Sequence, residues 1–348
     1  MKDVSQRLLG EFAQAARERT TFIVLLSAVL SWMVAASLFT GPAFLSAANV
    51  FQGLVFGEGD AAVIMREIRL PRLLLSVFVG GALGLCGAAA QSLTRNPLAD
   101  PAIFGAPQAA AFGAVVMLYF GYANTNSPSL MVAAVGGAMA CLSIVLLLVR
   151  QRYSVIAVLL AGVAIGSLCS AGVSMALSLS PNPFAMAEIV FWLMGSFADR
   201  SFAHVALSLP LIIAGSVILL MCGKAFRALS LGEDTAISLG YHPSWTTAST
   251  AVALSLVIGA TTAVSGAIGF VGLIAPHIAR PFCSGDPKAI LVPSILCGAI
   301  LTTGADVVVR IIPSTNEIPV GVLTALLGAP FFLYLVTFRR AMFGTVQS

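Results

Sequence analysis

Charge is what this sequence has least of. Asp, Glu, Lys and Arg together make up 9% of its 348 residues, where a soluble domain carries roughly a quarter. Hydrophobic residues reach 59%, so an ordinary water-soluble globule is excluded. Alternating apolar segments of strand length are also missing, which excludes a membrane barrel and leaves an all-α polytopic membrane protein. No G-x-x-x-x-G-K-[ST] phosphate loop is present, because Lys224, the one lysine that follows a glycine, lacks both the earlier glycine and the hydroxyl after it. No C-x-x-C or H-E-x-x-H spacing occurs either. Cys86, Cys141, Cys169, Cys222, Cys283 and Cys297 stand singly and read as small apolar side chains, and the dispersed His204, His242 and His277 read as structural, so no metal site is expected.

What remains is a series of charge-free runs, of which 101–149 and 235–279 are each long enough for two crossings at about 20 residues per span. The coarse reading places about ten helices at 22–41, 71–92, 103–121, 130–149, 155–178, 203–222, 245–264, 270–281, 289–309 and 318–337. The eighth contains Gly272 and Pro276 and is too short to cross alone, so it is expected to be broken or partly re-entrant. The whole chain, 1–348, reads as one transmembrane domain with a cytoplasmic N-terminal segment 1–21 leading into an uncleaved first span, and with a polar cytoplasmic insert at 223–244. Lys2, Arg7, Arg17, Arg19, Arg95, Arg150, Arg152, Lys224, Arg227, Arg280, Lys288, Arg339 and Arg340 then lie inside, 13 of the 18 basic residues. This bias orients both termini toward the cytoplasm.

Small residues recur at helical spacing in Gly80, Gly84 and Ala88, and again in Gly162, Gly166, Ser170 and Ser174. Such rows let helices approach closely; the second is either an internal contact or a face along a subunit interface or pathway. The acids Glu58, Asp60, Glu67, Asp100, Glu188, Asp199, Glu233, Asp234, Asp286, Asp306 and Glu317 fall at expected loops or helix ends. Asp306 is the nearest to an intramembrane carboxylate, with Arg310 one turn away as a partner. A proton-coupled carrier or membrane enzyme would place such groups deep in the bilayer at working spacing, so both classes are disfavoured.

Four segments are not explained by apolarity alone, around 66–72, 95–101, 231–240 and from 266 on to 332, and with them seven motifs stand in order: RLPR at 69–72, QSLTRNPLADPAIFG at 91–105, LLAGVAIG at 159–166, LGEDTAISLG at 231–240, SGAIGFVGLIAPHIAR at 265–280, GADVVVR at 304–310 and EIPVGVLTALLGAPFF at 317–332. In this order they resemble the permease family of type II ABC importers for iron siderophores, haem and vitamin B12. Cys86 stands where that family usually has a small hydroxyl residue, and Ala106-Pro107-Gln108-Ala109 where it has a Ser/Gly-rich turn.

The resemblance implies a ten-helix permease of the bacterial inner membrane. It implies a second permease copy in a homodimer or close heterodimer, two cytoplasmic ABC ATPases that bind ATP and Mg, and a periplasmic substrate-binding protein. No cofactor in this chain and no nucleic-acid partner are implied. Leu231, Gly232, Glu233, Asp234, Leu239 and Gly240 correspond to the segment that seats in the ATPase. Here acids at the start of a short helix suit its dipole and Gly240 can close it. Arg69, Arg72 and Arg310 correspond to positions that receive acidic residues of the binding protein as a basic rim. The alternative is that they snorkel or pair with Glu67 and Asp306 at helix ends. The implied cargo is an iron chelate, siderophore or haem, with vitamin B12 as the alternative. Without a phosphate-cradling loop, the isolated chain is expected neither to bind nor to hydrolyse ATP. Stoichiometric nucleotide binding by the purified chain in equilibrium dialysis would contradict this.

Overall fold

The computed structural model describes residues 2–55, 59–124, 127–148, 155–180, 182–313 and 317–338; Glu58, Arg150, Arg152, Arg339 and Arg340 lie outside them. Among the described residues every regular element is helical. The order is α1 (Lys2–Phe39), α2 (Ala47–Val55) and α3 (Gly59–Val63), which runs through a π-helical turn, Ile64–Arg69, into α4 (Leu70–Thr94). A 3-10 turn at Pro101–Phe104 then leads to α5 (Ala106–Tyr119), α6 (Pro128–Leu148), α7 (Val155–Ser178), α8 (Pro183–Leu193) and α9 (Phe202–Met221). After α10 (Gly223–Ser230) and α11 (Glu233–Ser238) come α12 (Pro243–Ser265), α13 (Val271–Ala279), α14 (Pro287–Ile311) and α15 (Val320–Phe338).

Among the described residues seven of the ten expected segments are helices long and apolar enough to cross a membrane, and the other three are the shorter helices α5, α13 and α15. Helix α1 is continuous from Lys2 through the first span and, at 38 residues, is roughly 57 Å long. One feature differs from the sequence reading. The helix α8 was not anticipated, because Glu188 interrupts its apolar run and 11 residues cannot span a bilayer. Its start is nevertheless encoded: Asn182 accepts a hydrogen bond from the Ala185 amide at 2.8 Å, and Pro183 occupies the first helical position.

Helices α4 and α12 run through the interior, whereas α1 and α7 lie at the periphery. The central contact is α4 against α14, and glycine makes it possible. A Cβ on Gly80 would sit 1.7 Å from Thr302 Oγ1, and one on Gly84 would sit 2.2 Å from the Ser294 carbonyl oxygen. Further along, a Cβ on Gly87 would fall 1.7 Å from the Gly272 carbonyl of α13. The row Gly80, Gly84 is thus an internal packing face, the plainer of its two readings.

The break between α12 and α13 is the eighth segment foreseen from Gly272 and Pro276. Gly266 ends α12 with φ +67°, and Phe270 opens α13 with φ +66°. Non-helical backbone inside a bilayer needs internal partners. It finds one in the turn after α8, where the Ser196 amide donates to the Ser265 carbonyl at 2.8 Å, and that turn is itself tied to the first turn of α15 by the Gly321 amide, which donates to the Gly195 carbonyl at 3.1 Å. Bulk cannot be added here, because a Cβ on Gly266 would lie 2.1 Å from the Trp192 carbonyl oxygen.

These contacts set a stability test. Gly87→Ala drives a methyl into backbone that cannot swing aside, so a loss of about 1–3 kcal/mol or more is expected. Gly136→Ala, with no atom near its would-be Cβ, should be neutral. Thermal melting of the two variants in detergent checks the contrast; equal melting points would refute the packing account.

Candidate functional site

Three places carry polar or exposed groups that packing alone does not demand. The first is the end of the bundle where α4 begins and α14 finishes, the outer end in the orientation expected from the charge bias. Arg72, near the start of α4, donates from Nε to Asp306 Oδ1 at 2.8 Å and from Nη1 to Glu317 Oε2 at 3.1 Å, and its Nη2 also contacts Glu317. Asp306 is fully buried on α14 and pairs a second time, with Arg310 Nη2 at 2.9 Å. The anticipated Asp306–Arg310 pair is present, but the carboxylate is shared with Arg72 rather than confined to a local helix-end contact.

Three arginines in this region also finish helices. Arg310 donates to the carbonyls of Ser37 at 3.0 Å and Thr40 at 2.9 Å and to the Ser37 hydroxyl at 2.6 Å. Arg69 donates to the carbonyls of Leu38 and Ala43, both at 2.5 Å, and Arg66 reaches the Leu54 carbonyl at 2.8 Å. Helix C-termini leave carbonyls without intrahelical partners and carry partial negative charge, and guanidinium groups answer both needs at the ends of α1 and α2. An exposed rim is therefore not what Arg69, Arg72 and Arg310 build. Arg69 and Arg72 are buried, and the Arg310 side chain is nearly so. Arg72, Arg200 and Arg310 line a depression of about 690 Å3 that Glu67, Asp199 and Glu317 also border.

The second place is the polar segment 223–244. Gly232 (φ +112°) precedes α11, Glu233 and Asp234 form its first turn, and Gly240 (φ +84°) follows it. The Tyr241 amide donates to Ala236 O and the Gly240 amide to Ile237 O, both at 2.9 Å, which is a Schellman closure. Leu231, Ile237, Leu239 and Trp245 are exposed around this short helix. Glu233 meets Arg95 at 3.2 Å, an exposed pair worth well under about 1 kcal/mol. More firmly, Arg227 of α10 donates from Nε to Asp286 Oδ1 at 2.9 Å. Burial pushes the Asp286 carboxyl up, but the hydrogen bonds from Arg227 and the Lys288 amide outweigh it and hold the group below its ordinary range. The tie between α10 and α14 is thus kept at neutral pH and lost only as pH falls through that lowered value.

The third place is α7. Gly162 and Gly166 are buried against their own chain, where a Cβ on Gly162 would lie 2.8 Å from the Phe104 carbonyl oxygen and one on Gly166 would lie 3.2 Å from Gly105 Cα. Ser170 and Ser174 are exposed. The four-residue row turns about 40° per step on a 3.6-residue helix, so it starts in the interior and ends on the surface. Of the four candidates only the two serines lie on a free face. Ser174 donates to the Ser170 carbonyl at 3.0 Å and Ser167 to Val163 at 2.8 Å, so these hydroxyls present few unsatisfied donors. Among the described residues no cluster of three metal-ligating side chains occurs.

A bundle of helices, seven of them long and apolar enough to cross a membrane and one broken between α12 and α13, defines a polytopic membrane protein. Comparison is more specific: the FecCD transport family model matches residues 4–338, and the chain belongs to that family of ABC importer permeases. It is 34% identical over 338 residues to a vitamin B12 import system permease protein, BtuC, of Citrobacter koseri, covering 96% of this chain and 99% of that one. It is 38% identical over 278 residues to an uncharacterized ABC transporter permease protein, YvrB, of Bacillus subtilis, covering 78% of each. A solved inward-facing transporter, described as of metal-chelate ABC type, superposes with a TM-score of 0.82 at 30% identity, covering 91% of this chain and 99% of that one. The expected bacterial inner-membrane location follows from this membership. So does the place of the chain as a permease subunit, which in this family is not itself an enzyme and works with ATPase, binding-protein and second-permease partners.

Asp306 gives a sharp test of the outer network. Asp306→Ala strands two buried guanidinium groups and should cost about 3–5 kcal/mol, whereas Glu317→Gln, at a side chain 33% exposed, should cost less than about 1 kcal/mol. Melting in detergent distinguishes the two, and an Asp306→Ala variant as stable as the parent would remove the network from the account.

Proposed function

We propose that this chain forms half of the membrane pathway of an ABC importer for a bulky metal chelate, with an iron chelate, siderophore or haem, as cargo. The observation that carries this reading is the family match along nearly the whole chain, combined with an exposed face on α7 where the Ser167 and Ser174 hydroxyls are turned onto their own helix. A face with few free donors and acceptors lets a large polar complex slide without being trapped. Vitamin B12 is the second reading, favoured by the 34% identical BtuC relative. Both are large metal chelates.

Two contacts complete the proposal, together with a second copy of the chain in a homodimer and both termini in the cytoplasm. The segment Leu231–Gly240 is the seat for an ATPase. Its exposed Leu231, Ile237 and Leu239 give it the apolar patch a protein partner requires, beside the acids Glu233 and Asp234. On the outer side, an acidic residue of the binding protein reaches the arginines through the depression rather than at a rim. Arg72 already holds the partly exposed Glu317 in its fork, so an incoming carboxylate takes that place.

The reconstituted system tests all of this. The chain, its ATPase and its binding protein in vesicles should accumulate ferric siderophore, haem or cobalamin only with ATP, and the ligand accumulated fixes the cargo. Replacing Glu233 and Asp234 together by lysine should reduce uptake to background with membrane insertion unchanged. Glu317→Gln frees Arg72 and should tighten the binding protein about fivefold at low salt, on the order of 1 kcal/mol. Unaltered uptake in the double lysine variant would remove the coupling assignment, and weakened binding in Glu317→Gln would remove the docking one.

A further inference from the structure

Helix α5 packs against both α6 and α7, while α6 and α7 touch each other much less. Between them lies a groove of about 750 Å3, lined by Phe112 and Met117 of α5, Gly137 and Ala140 of α6, and Leu168 and Gly172 of α7. No lining residue carries a hydroxyl, an amide or a charge. The thiol of Cys141, which also borders it, is turned toward the Phe104 carbonyl at 3.9 Å.

Position decides what can fill this space. On α6 the lining runs from Ala133 to Ile144, the middle of that span and roughly 16 Å of helical rise. Centred on the span, that length lies wholly within a hydrocarbon core about 30 Å thick, where acyl chains and not headgroups are at hand. Water is excluded, because apolar cavities of this kind stay dry. A second copy of the chain approaching the proposed serine face of α7 does not cover the groove either. Leu168 stands two residues before Ser170, and Gly172 two from both Ser170 and Ser174, about 200° round the helix, so both project to the far side of α7 from the serines.

We propose that the groove is a binding site for an acyl chain of a membrane lipid, held in place rather than exchanging with the surrounding annulus. Hydrocarbon gains no hydrophobic free energy on moving from bilayer to groove, so retention comes from dispersion contacts with a wall already fixed. The wall is fixed by close packing: a Cβ on Gly137 would sit 2.3 Å from the Ala109 carbonyl oxygen, and one on Gly113 would sit 2.3 Å from that of Ala133. A cavity of this volume is also in the range of about 300–1,000 Å3 typical of small-molecule sites. Lodged there, the chain wedges α7 from the side away from the serines and limits its approach to α6.

Native mass spectrometry of the full-length chain after detergent exchange tests the site. The parent should retain a diacyl phospholipid, Ala140→Phe and Ala133→Phe should each lower the retained fraction at least fivefold, and Leu147→Phe, on α6 but outside the groove, should leave it unchanged. Equal retention in all four proteins, or loss from the parent in the first exchange, overturns the proposal. Should the filled variants fail to fold, a second measurement uses the parent alone. Phospholipids with a photoactivatable group midway along the chain, crosslinked in vesicles, should map to peptides of α5, α6 and α7. Crosslinks spread evenly over the exposed faces of α1 and α9 overturn it.

Discussion

The outer end of the bundle is organised by one buried carboxylate. Asp306 has no contact with water, and a lone charge there would be untenable, so the positions of Arg72 and Arg310 follow from it. Those arginines in turn fix others. Arg310 closes the carbonyl end of α1, and Arg72 holds Glu317 at the approach to α15. Such a cluster is a poor source of net stability, since desolvating the ions offsets most of their attraction. What it supplies is position: the ends of α1, α4 and α14 and the start of α15 are held in a single arrangement by directional forks that apolar side chains could not provide.

Away from that end, glycine takes over from charge. In a bilayer, close approach is driven by packing rather than by expulsion of water, and small residues permit it. Gly80, Gly84 and Gly87 bring α4 onto α14 and α13 at distances that forbid a methyl group. Gly195, Gly266 and Gly321 let the turn after α8, the end of α12 and the first turn of α15 meet where their amides and carbonyls serve one another. The interior is consequently stiff. The periphery is different in kind, as α7 rests on α5 along the Gly162 and Gly166 side alone and leaves both flanks open.

Much of this was legible in the sequence because a bilayer admits so few solutions. Charge-free runs located ten helical segments, seven of them long enough to cross a membrane, Gly272 and Pro276 flagged the broken one, and the acids and Gly240 marked the limits of α11. Three things were not legible. Whether Arg69 and Arg310 face water depends on where the carbonyls of Leu38 and Ser37 end up, which is a tertiary fact. The drift of the α7 row was available from helical geometry, but the neighbour that buries its first half, the turn at Pro101–Phe104, was not. Helix α8 is too short for a hydropathy signal, and only Asn182-Pro183 announced it.

The stiffness of the interior bears on how the two faces of the membrane communicate. Helix α14 carries Asp306 and Arg310 at its outer end and begins just after Asp286, the partner of Arg227 on α10. Helix α4 carries Arg72 at its outer end, and Arg95, which caps its inner end, meets Glu233 of the proposed ATPase seat. The two helices are locked together between these points by the glycine contacts, so they move as a pair or not at all. Displacement of Glu317 from Arg72 would therefore act on the outer end of a rigid unit whose inner end touches both α10 and α11. A packed pair of this sort has discrete arrangements rather than continuous flexibility, and it transmits a small shift without absorbing it. The lightly supported α7, standing beside that unit with its serines on one flank and the apolar groove on the other, is then the element with least to hold it back when the pair moves.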